Sequence, residues 1–520
     1  MVHTILKKLY PVLGCVLLLM PTFVFALQDG AARTPPMGFN TWNYFGCDGC
    51  SQANMLAVAK AMLKKHTGWD GQSKSLMDVG YKFINLDDCW ENGIGAHPNN
   101  DTLKWDASRF PKGLPWLTDT LHKLGFQAGI YTCAGSSTCA NRPSSQGYEA
   151  KDAMTFVKWG FNYLKDDWCS VSNGATAPQA YSKMGHGIVD AQKQLGIKST
   201  FVFSLCSWGQ TGNDSPWLFG DTCGHLWRTT GDIKAAWSGS DGSCKCVQGI
   251  FLSNYNHYQY AGPGKWNDPD MLEVGNGLTD QQGQSHFNLW CISAAPLLMG
   301  NNTPALNDVD PTFTTLANTE VIAVDQDSLG KQGHRVLGNG SSVDAYVKVM
   351  KTPDTTTVRK VAVCVVNWGS GAVGGQTITW ANIGENSATK VYSVRDLNTH
   401  KNLTTSAAGS YTTAGIPAYG NQTLLFTNYP VGVLENPVTN KAINTGKLLT
   451  RVNGNVFELF VPRANSNVRI FNLSGKEISS CFAPTANWYR INSRASTGTY
   501  IVRINSDNSV LEGKAPMLAQ

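Results

Sequence analysis

The chain has 520 residues, 42% of them hydrophobic and 15% charged, which is enough to bury large cores and excludes a disordered tail or a coiled coil. Lys and Arg total 42 against 37 Asp and Glu, a formal net charge of +5, and no basic run interleaved with aromatics is present, so a nucleic-acid-binding surface is excluded. The 52 Gly, 16 Trp and 17 Tyr fit loop-rich architecture with flat aromatic faces, suited to a neutral, polar, ring-shaped ligand.

In chain order, Lys7 and Lys8 precede an apolar run from Val12 to Phe25 that closes on Val24, Phe25 and Ala26. This reads as a signal peptide over residues 1–26, cleaved after Ala26, because the run falls short of the roughly 20 residues that cross a bilayer. A secreted protein with no integral membrane segment is expected. The 14 cysteines fit a compartment where disulfides persist. Loss of Cys15 with the leader leaves an odd number, which predicts a free thiol, and Cys364 inside the apolar run Val361 to Val366 is the candidate. Cys47 and Cys50 form a CxxC with no second CxxC or HxxxH at zinc spacing, so disulfide use is favoured and no metal site or cofactor is expected.

From Phe39 to Gly300, eight short apolar runs recur, each ending in polar residues and most followed by a helix-compatible stretch. They are Met37 to Trp42, Tyr81 to Asp88, Gln127 to Tyr131, Phe161 to Asp167, Thr200 to Cys206, Leu226 to Asp232, Trp266 to Met271 and Pro296 to Gly300. Eight such units predict a (β/α)8 barrel with its site at the C-terminal strand ends. An open doubly wound sheet would show a glycine fingerprint after its first strand, and none is there. The expected divisions are a catalytic barrel over 27–328, an antiparallel β-sandwich over 329–428, and a linker with a small C-terminal β module over 429–520.

Lys165 and Asp167 share one face of their strand and Asp166 takes the other. A lysine beside Asp167 is expected to favour its charged form, as a nucleophile requires. Asp232, beyond the sixth strand, can lie across the mouth from Asp167, with Arg228 nearby to bind hydroxyls. Two carboxylates about 5 Å apart are the equipment of a retaining glycosidase. Asp87 and Asp88 suit sugar hydroxyls, with loop capping as the alternative.

These residues resemble glycoside hydrolase family 27, the α-galactosidase and α-N-acetylgalactosaminidase family. The resemblance runs from Arg33 to about Phe426 through RTPPMGFNTWN at Arg33, NLDDCW at Asn85, GIYTCAG at Gly129, YLKDDWC at Tyr163, WRTTGDI at Trp227, GPGKWNDPDMLEVGN at Gly262 and AAPLLMG at Ala294. It implies a barrel followed by an antiparallel β domain, and hydrolysis of terminal α-galactosides with retention. It further implies Asp167 as nucleophile and Asp232 as acid/base. Asp87 and Asp88 would grip O4 and O6, Trp42 would form an aromatic wall, and Lys165 and Arg228 would bind hydroxyls. Tyr131 and Asp268 would be walls, with Cys206 and Ser207 beside O2. The implied disulfides are Cys47 with Cys89 and Cys139 with Cys169.

Ser207 stands where many α-galactosidases carry an acidic or amide residue, and a serine there resembles the N-acetylgalactosaminidases. Trp208, Gly209 and Gln210 do not match the small-residue loop of an acetamido pocket, so α-galactosidase leads. The acetamido sugar, a β-L-arabinopyranoside and a non-catalytic galactose-binding lectin follow. Lys64 to Asp78 reads as an insertion, and Cys133, Cys223, Cys244 and Cys246 as further loop staples. Val468 to Ser480 and Ser496 to Ile504 resemble the C-terminal sorting domains of secreted bacterial enzymes. The expected partner is a small or polymeric galactoside.

Overall fold

The computed structural model describes residues 29–98, 101–172, 174–239, 245–307, 310–352, 359–387 and 389–428, and strand segments between 450 and 517. The expected leader, most of the expected linker and Cys244 lie outside the described residues.

Eight parallel strands form one sheet: β1 (Met37–Asn40), β2 (Phe83–Asn85), β3 (Gln127–Cys133), β4 (Tyr163–Asp167), β5 (Val202–Cys206), β6 (Leu226–Arg228), β7 (Trp266–Asp268) and β8 (Leu297–Met299), in the order β8-β1-β2-β3-β4-β5-β6-β7. A parallel bridge from Leu272, just past β7, to Met299 of β8 closes the ring. Helices α1 (Gln52–Leu63), α2 (Leu114–Lys123), α3 (Glu149–Lys158), α4 (Ala177–Leu195), α5 (Val247–Asn254) and α6 (Asp280–Ile292) alternate with the strands, and Pro216–Phe219 forms a short turn of helix between β5 and β6. Their ends follow local chemistry. Ser51 accepts from the Asn54 amide at the start of α1, capping boxes open α4 (Thr176, Gln179) and α6 (Thr279, Gln282), and Gly196 ends α4 in the left-handed region at φ 64°.

All eight expected strands are present, but every one except β3 is shorter than its run suggested, and at β1 and β6 this moves a site residue off the strand. β1 stops at Asn40, with Trp42 opening a short helix, and β6 stops at Arg228, so Asp232 belongs to a loop. The apolar runs continue past the ladder because the residues leaving it are still buried: Thr41, Thr229 and Thr230 are all covered.

A second unit follows. Strands β9 (His334–Leu337), β10 (Val343–Met350), β11 (Arg359–Asn367), β12 (Val391–Asp396), β13 (Lys401–Ala408) and β14 (Asn421–Asn428) form an antiparallel sheet ordered β9-β10-β11-β14-β12-β13, faced by the pair Thr377–Thr379 and Ser410–Thr412. Val363, Val365, Ile378, Trp380 and Phe426 share the core between them. Past residue 449 a three-stranded and a four-stranded antiparallel sheet follow.

Several contacts join barrel and β layer, among them the ion pair of Arg395 with Glu320 at 2.6 Å and the bond from Trp237 Nε1 to the Trp368 carbonyl at 3.1 Å. Asn288 of α6 donates to Asn398 Oδ1 at 2.6 Å, Asn421 Oδ1 at 2.8 Å and Thr423 Oγ1 at 2.9 Å. The insertion before β2 is a small hairpin, His66–Thr67 with Ser73–Lys74, whose Trp69 stacks on His400 at 3.6 Å between ring centroids. No helix among the described residues is long and apolar enough to cross a membrane.

Candidate active site

Strand register levels the site's side chains. Tyr131, Lys165 and Ser204 are neighbours on β3, β4 and β5; Cys133, Asp167 and Cys206 form the next inward-facing level; Arg228 pairs with Asp268 across β6 and β7. The alternation expected along β4 holds. Lys165 Nζ reaches Asp87 Oδ2 at 2.8 Å and Asp167 Oδ2 at 3.8 Å, whereas Asp166 is buried on the other face with an unpartnered oxygen, and burial holds its carboxyl well above the usual range.

Asp167 is 5% exposed; its Oδ2 accepts from the Tyr131 hydroxyl at 3.1 Å and its Oδ1 from the Trp168 amide at 2.9 Å. Burial drives its pKa up to about 6, against the pull of Lys165 and the amide. Lys165 does favour the charged form of Asp167, as expected, but desolvation is the larger effect and the nearer partner of the cation is Asp87. Burial works hardest against the charge on Lys165, but Asp87, Cys206 and Asp167 together outweigh it and hold the ammonium's pKa above its ordinary value.

Asp87 Oδ2 also accepts from Asn40 Nδ2 at 2.8 Å, and the Asp87 amide donates to Thr41 Oγ1 at 3.0 Å. Asp88 is engaged differently. It accepts from Thr138 Oγ1 and the Ala140 amide, both at 2.8 Å, and from the Cys89 amide at 2.7 Å, so the loop-capping alternative describes its present contacts. Burial raises its pKa. The disulfide Cys139–Cys169 ties this loop to the end of β4, and Cys47–Cys89 ties β2's end to the chain after β1. Gly135 permits the closure, since a Cβ there would sit 1.9 Å from the Cys169 carbonyl oxygen. Both implied pairings are present. Cys139, Asp167 and Cys169 lie close enough to hold an ion, but the two sulfurs are spent on each other.

Asp232 has a side chain 57% exposed at the rim, with Oδ1 3.2 Å from Arg228 Nη2. Burial pushes its carboxyl up, but Arg228 and Lys165 outweigh that and hold it below the ordinary aspartate value. Arg228 is covered: Nη2 also meets Asp270 Oδ2 at 2.9 Å and the Thr230 carbonyl at 3.2 Å, while Nη1 lies 3.6 Å from Cys206 Sγ. Asp268 accepts the Asp270 amide at 2.8 Å, and burial lifts its pKa to about 6. Trp42 is half-buried, its amide donating to Asn40 Oδ1 at 2.8 Å.

Ser207 and Cys206 are fully buried, and the Ser207 hydroxyl has no hydrogen-bond partner. Gly209 presses the turn after them onto β6, where a Cβ would stand 2.0 Å from the Thr229 carbonyl oxygen. Two expected staples are corrected: Cys133 and Cys223 are buried free thiols, as are Cys50, Cys206, Cys291 and the anticipated Cys364. Cys246 is disulfide-bonded.

Sequence reasoning missed Asp270, the closest carboxylate to Arg228, and the buried Glu273, which binds Asn43 beside Trp42 and accepts from Asn276 Nδ2 at 2.6 Å. The Asp-Pro-Asp pattern held a signal for Asp270, but attention fell on the acid at the strand end.

Residues 34–327 match the family model described as alpha galactosidase A. The chain belongs to this family. It is 38% identical over 377 residues to alpha-galactosidase 2 of Arabidopsis thaliana, covering 72% of this chain and 85% of that protein. The crystal structure of alpha-galactosidase I from Mortierella vinacea superposes with a TM-score of 0.67 at 32% identity, over 77% of this chain and 98% of that one. An alpha-galactosidase from Saccharomyces cerevisiae, solved with raffinose, gives 0.65 at 26% identity, over 77% and 99%.

Proposed function

We propose that the chain is a retaining exo-α-galactosidase, with Asp167 as nucleophile and Asp232 as acid/base. The observation that carries this reading is the placing of a covered carboxylate, Asp167, beneath a rim carboxylate, Asp232, at one barrel mouth, in a chain of this family. Asp167 attacks the anomeric carbon while Asp232 protonates the departing oxygen. Asp232 then takes the proton of the water that cleaves the glycosyl-enzyme. No cofactor enters the scheme.

Asp87, held by Lys165 and Asn40, is the acceptor for the O4 and O6 hydroxyls, with Asp88 beside it, and Trp42 and Tyr131 are apolar walls. An axial O4 marks galactose, and fixed charged groups at that corner are left unpaired by the wrong epimer. Trp208, Gly209 and Gln210, which differ from the small-residue loop of an acetamido pocket, favour a plain hexose over an acetamido sugar. The lectin alternative would be expected to lack one of the two carboxylates.

The leader over 1–26 and the tail's likeness to sorting domains support export, with barrel, sandwich and tail as divisions 27–328, 329–428 and 429–520. The test is parallel rates on the aryl glycosides of α-galactose, α-N-acetylgalactosamine and β-L-arabinopyranose. The α-galactoside should lead, and Asp167→Asn and Asp232→Asn should each cut its turnover by about three orders of magnitude. Full activity in either variant overturns the assignment.

A further inference from the structure

Asp232 stands beyond the end of β6, where no ladder can place it. The amide next to it does: Ile233 N donates to Asp270 Oδ2 at 2.9 Å. Asp270 is itself fixed on every side. Its amide donates to Asp268 Oδ1 at 2.8 Å, its Oδ1 accepts from the Met271 amide at 2.8 Å, and its carbonyl accepts from Trp290 Nε1 at 2.8 Å. Its backbone lies in the left-handed region at φ 82°, a conformation an L-residue holds only when its surroundings insist.

The same Oδ2 meets Arg228 Nη2 at 2.9 Å, the nitrogen that also reaches Asp232 at 3.2 Å. Arg228 and Asp270 have side chains 3% and 6% exposed, so Asp270 is the counter-ion with which the guanidinium is desolvated. We infer that Asp270 is a positioning residue that anchors the Asp232 loop and neutralises Arg228, leaving Asp232 able to carry the proton the leaving oxygen needs. This rests on the glycosidase reading above.

The groups facing Asp232 are Arg228 from β6, Lys165 and Asp167 from β4, Cys206 from β5, Asp270 from the β7 loop and Lys245 from the segment before α5. Three of them are cations. Remove the charge of Asp270 and Arg228 leans more on Asp232, with Asp268 its remaining buried carboxylate, so Asp232 gives up its proton more readily.

Asp270→Asn keeps an oxygen for the Ile233 amide but drops the charge; Asp270→Glu keeps the charge but displaces the anchor. Carboxyl NMR titration of Asp232 in the full chain, assigned with Asp232→Asn, reads the electrostatic half directly. In Asp270→Asn the Asp232 midpoint should fall by about one pH unit. In the same variant kcat/KM should fall about tenfold on a poor leaving group and far less on a dinitrophenyl galactoside, which needs no proton. In Asp270→Glu the midpoint should stay at the wild-type value while kcat falls on both substrates. An unmoved midpoint in folded Asp270→Asn, or a lowered one in Asp270→Glu, overturns the inference, and the second holds even where Asp270→Asn fails to fold. A wild type that cleaves no galactoside while the midpoint still shifts would instead sink the glycosidase reading.

Discussion

Asp167 and Asp232 differ most in how much water each sees, and that inverts their acidities relative to their proposed roles. The covered nucleophile is the weaker acid, at about 6, and the rim acid/base is the stronger. The reacting form carries its one proton on Asp232, so it is the minor tautomer of the singly protonated pair, which is the dominant state between the two apparent pKa values. A pH profile of kcat/KM should peak on the acid side of 6 and decline above it; a plateau extending to pH 8 would contradict the geometry. The same shift bears on stability. Asp167 binds its proton more tightly folded, at about 6, than at the ordinary 3.8, so ionising it costs the fold about 3 kcal/mol. That penalty is full above 6 and gone below 3.8. Asp167→Asn should therefore raise the melting temperature at pH 7.5 and lose the gain near pH 4, as calorimetry at the two pH values can read.

At the scale of elements, the disulfide Cys139–Cys169 spans 30 residues and joins the loop that binds Asp88 to the strand that ends in Asp167. Replacing both cysteines with serine should cost about 3.6 kcal/mol by the loop-closure relation. It should also lower kcat/KM more than removal of Cys47–Cys89 does, because only the former touches the Tyr131 and Asp167 level, with Tyr131 Oη 3.5 Å from Cys139 Sγ. Guanidinium melts with parallel kinetics separate the two effects. The strands were readable because each buried run ends in polar residues, and Lys165 and Asp167 were readable because period-two alternation is local. What stayed hidden depends on depth and on distant chain. Nothing in the Lys-Asp-Asp stretch states how dry Asp167 is. The Asp270 bond to Ile233 joins residues 37 apart, and the free state of Cys133 and Cys223 follows from which sulfurs the loops bring together.

Across the whole molecule, the barrel and β layer meet on α6, whose residues Gly283 and Ser285 through Ile292 are all buried. A helix covered on every side has no solvent face and belongs to both units at once. Asn288→Ala removes the buried donor shared by Asn398 Oδ1, Asn421 Oδ1 and Thr423 Oγ1, of which Asn421 Oδ1 still accepts from Asn398 Nδ2 and Thr423 Oγ1. It should cost about 1–3 kcal/mol and reveal itself as an earlier, broader melting transition with barrel strands still protected from hydrogen exchange.

Trp69 and His400 add a further point of attachment, in the hairpin before β2 and far along the chain from α6. Separated rivets resist rotation where one would allow a swivel. A gene fragment ending just before β9 would thus encode a cylinder with a sticky flank and a dangling indole, and shuffling this catalytic unit onto foreign partners requires redesigning that flank first.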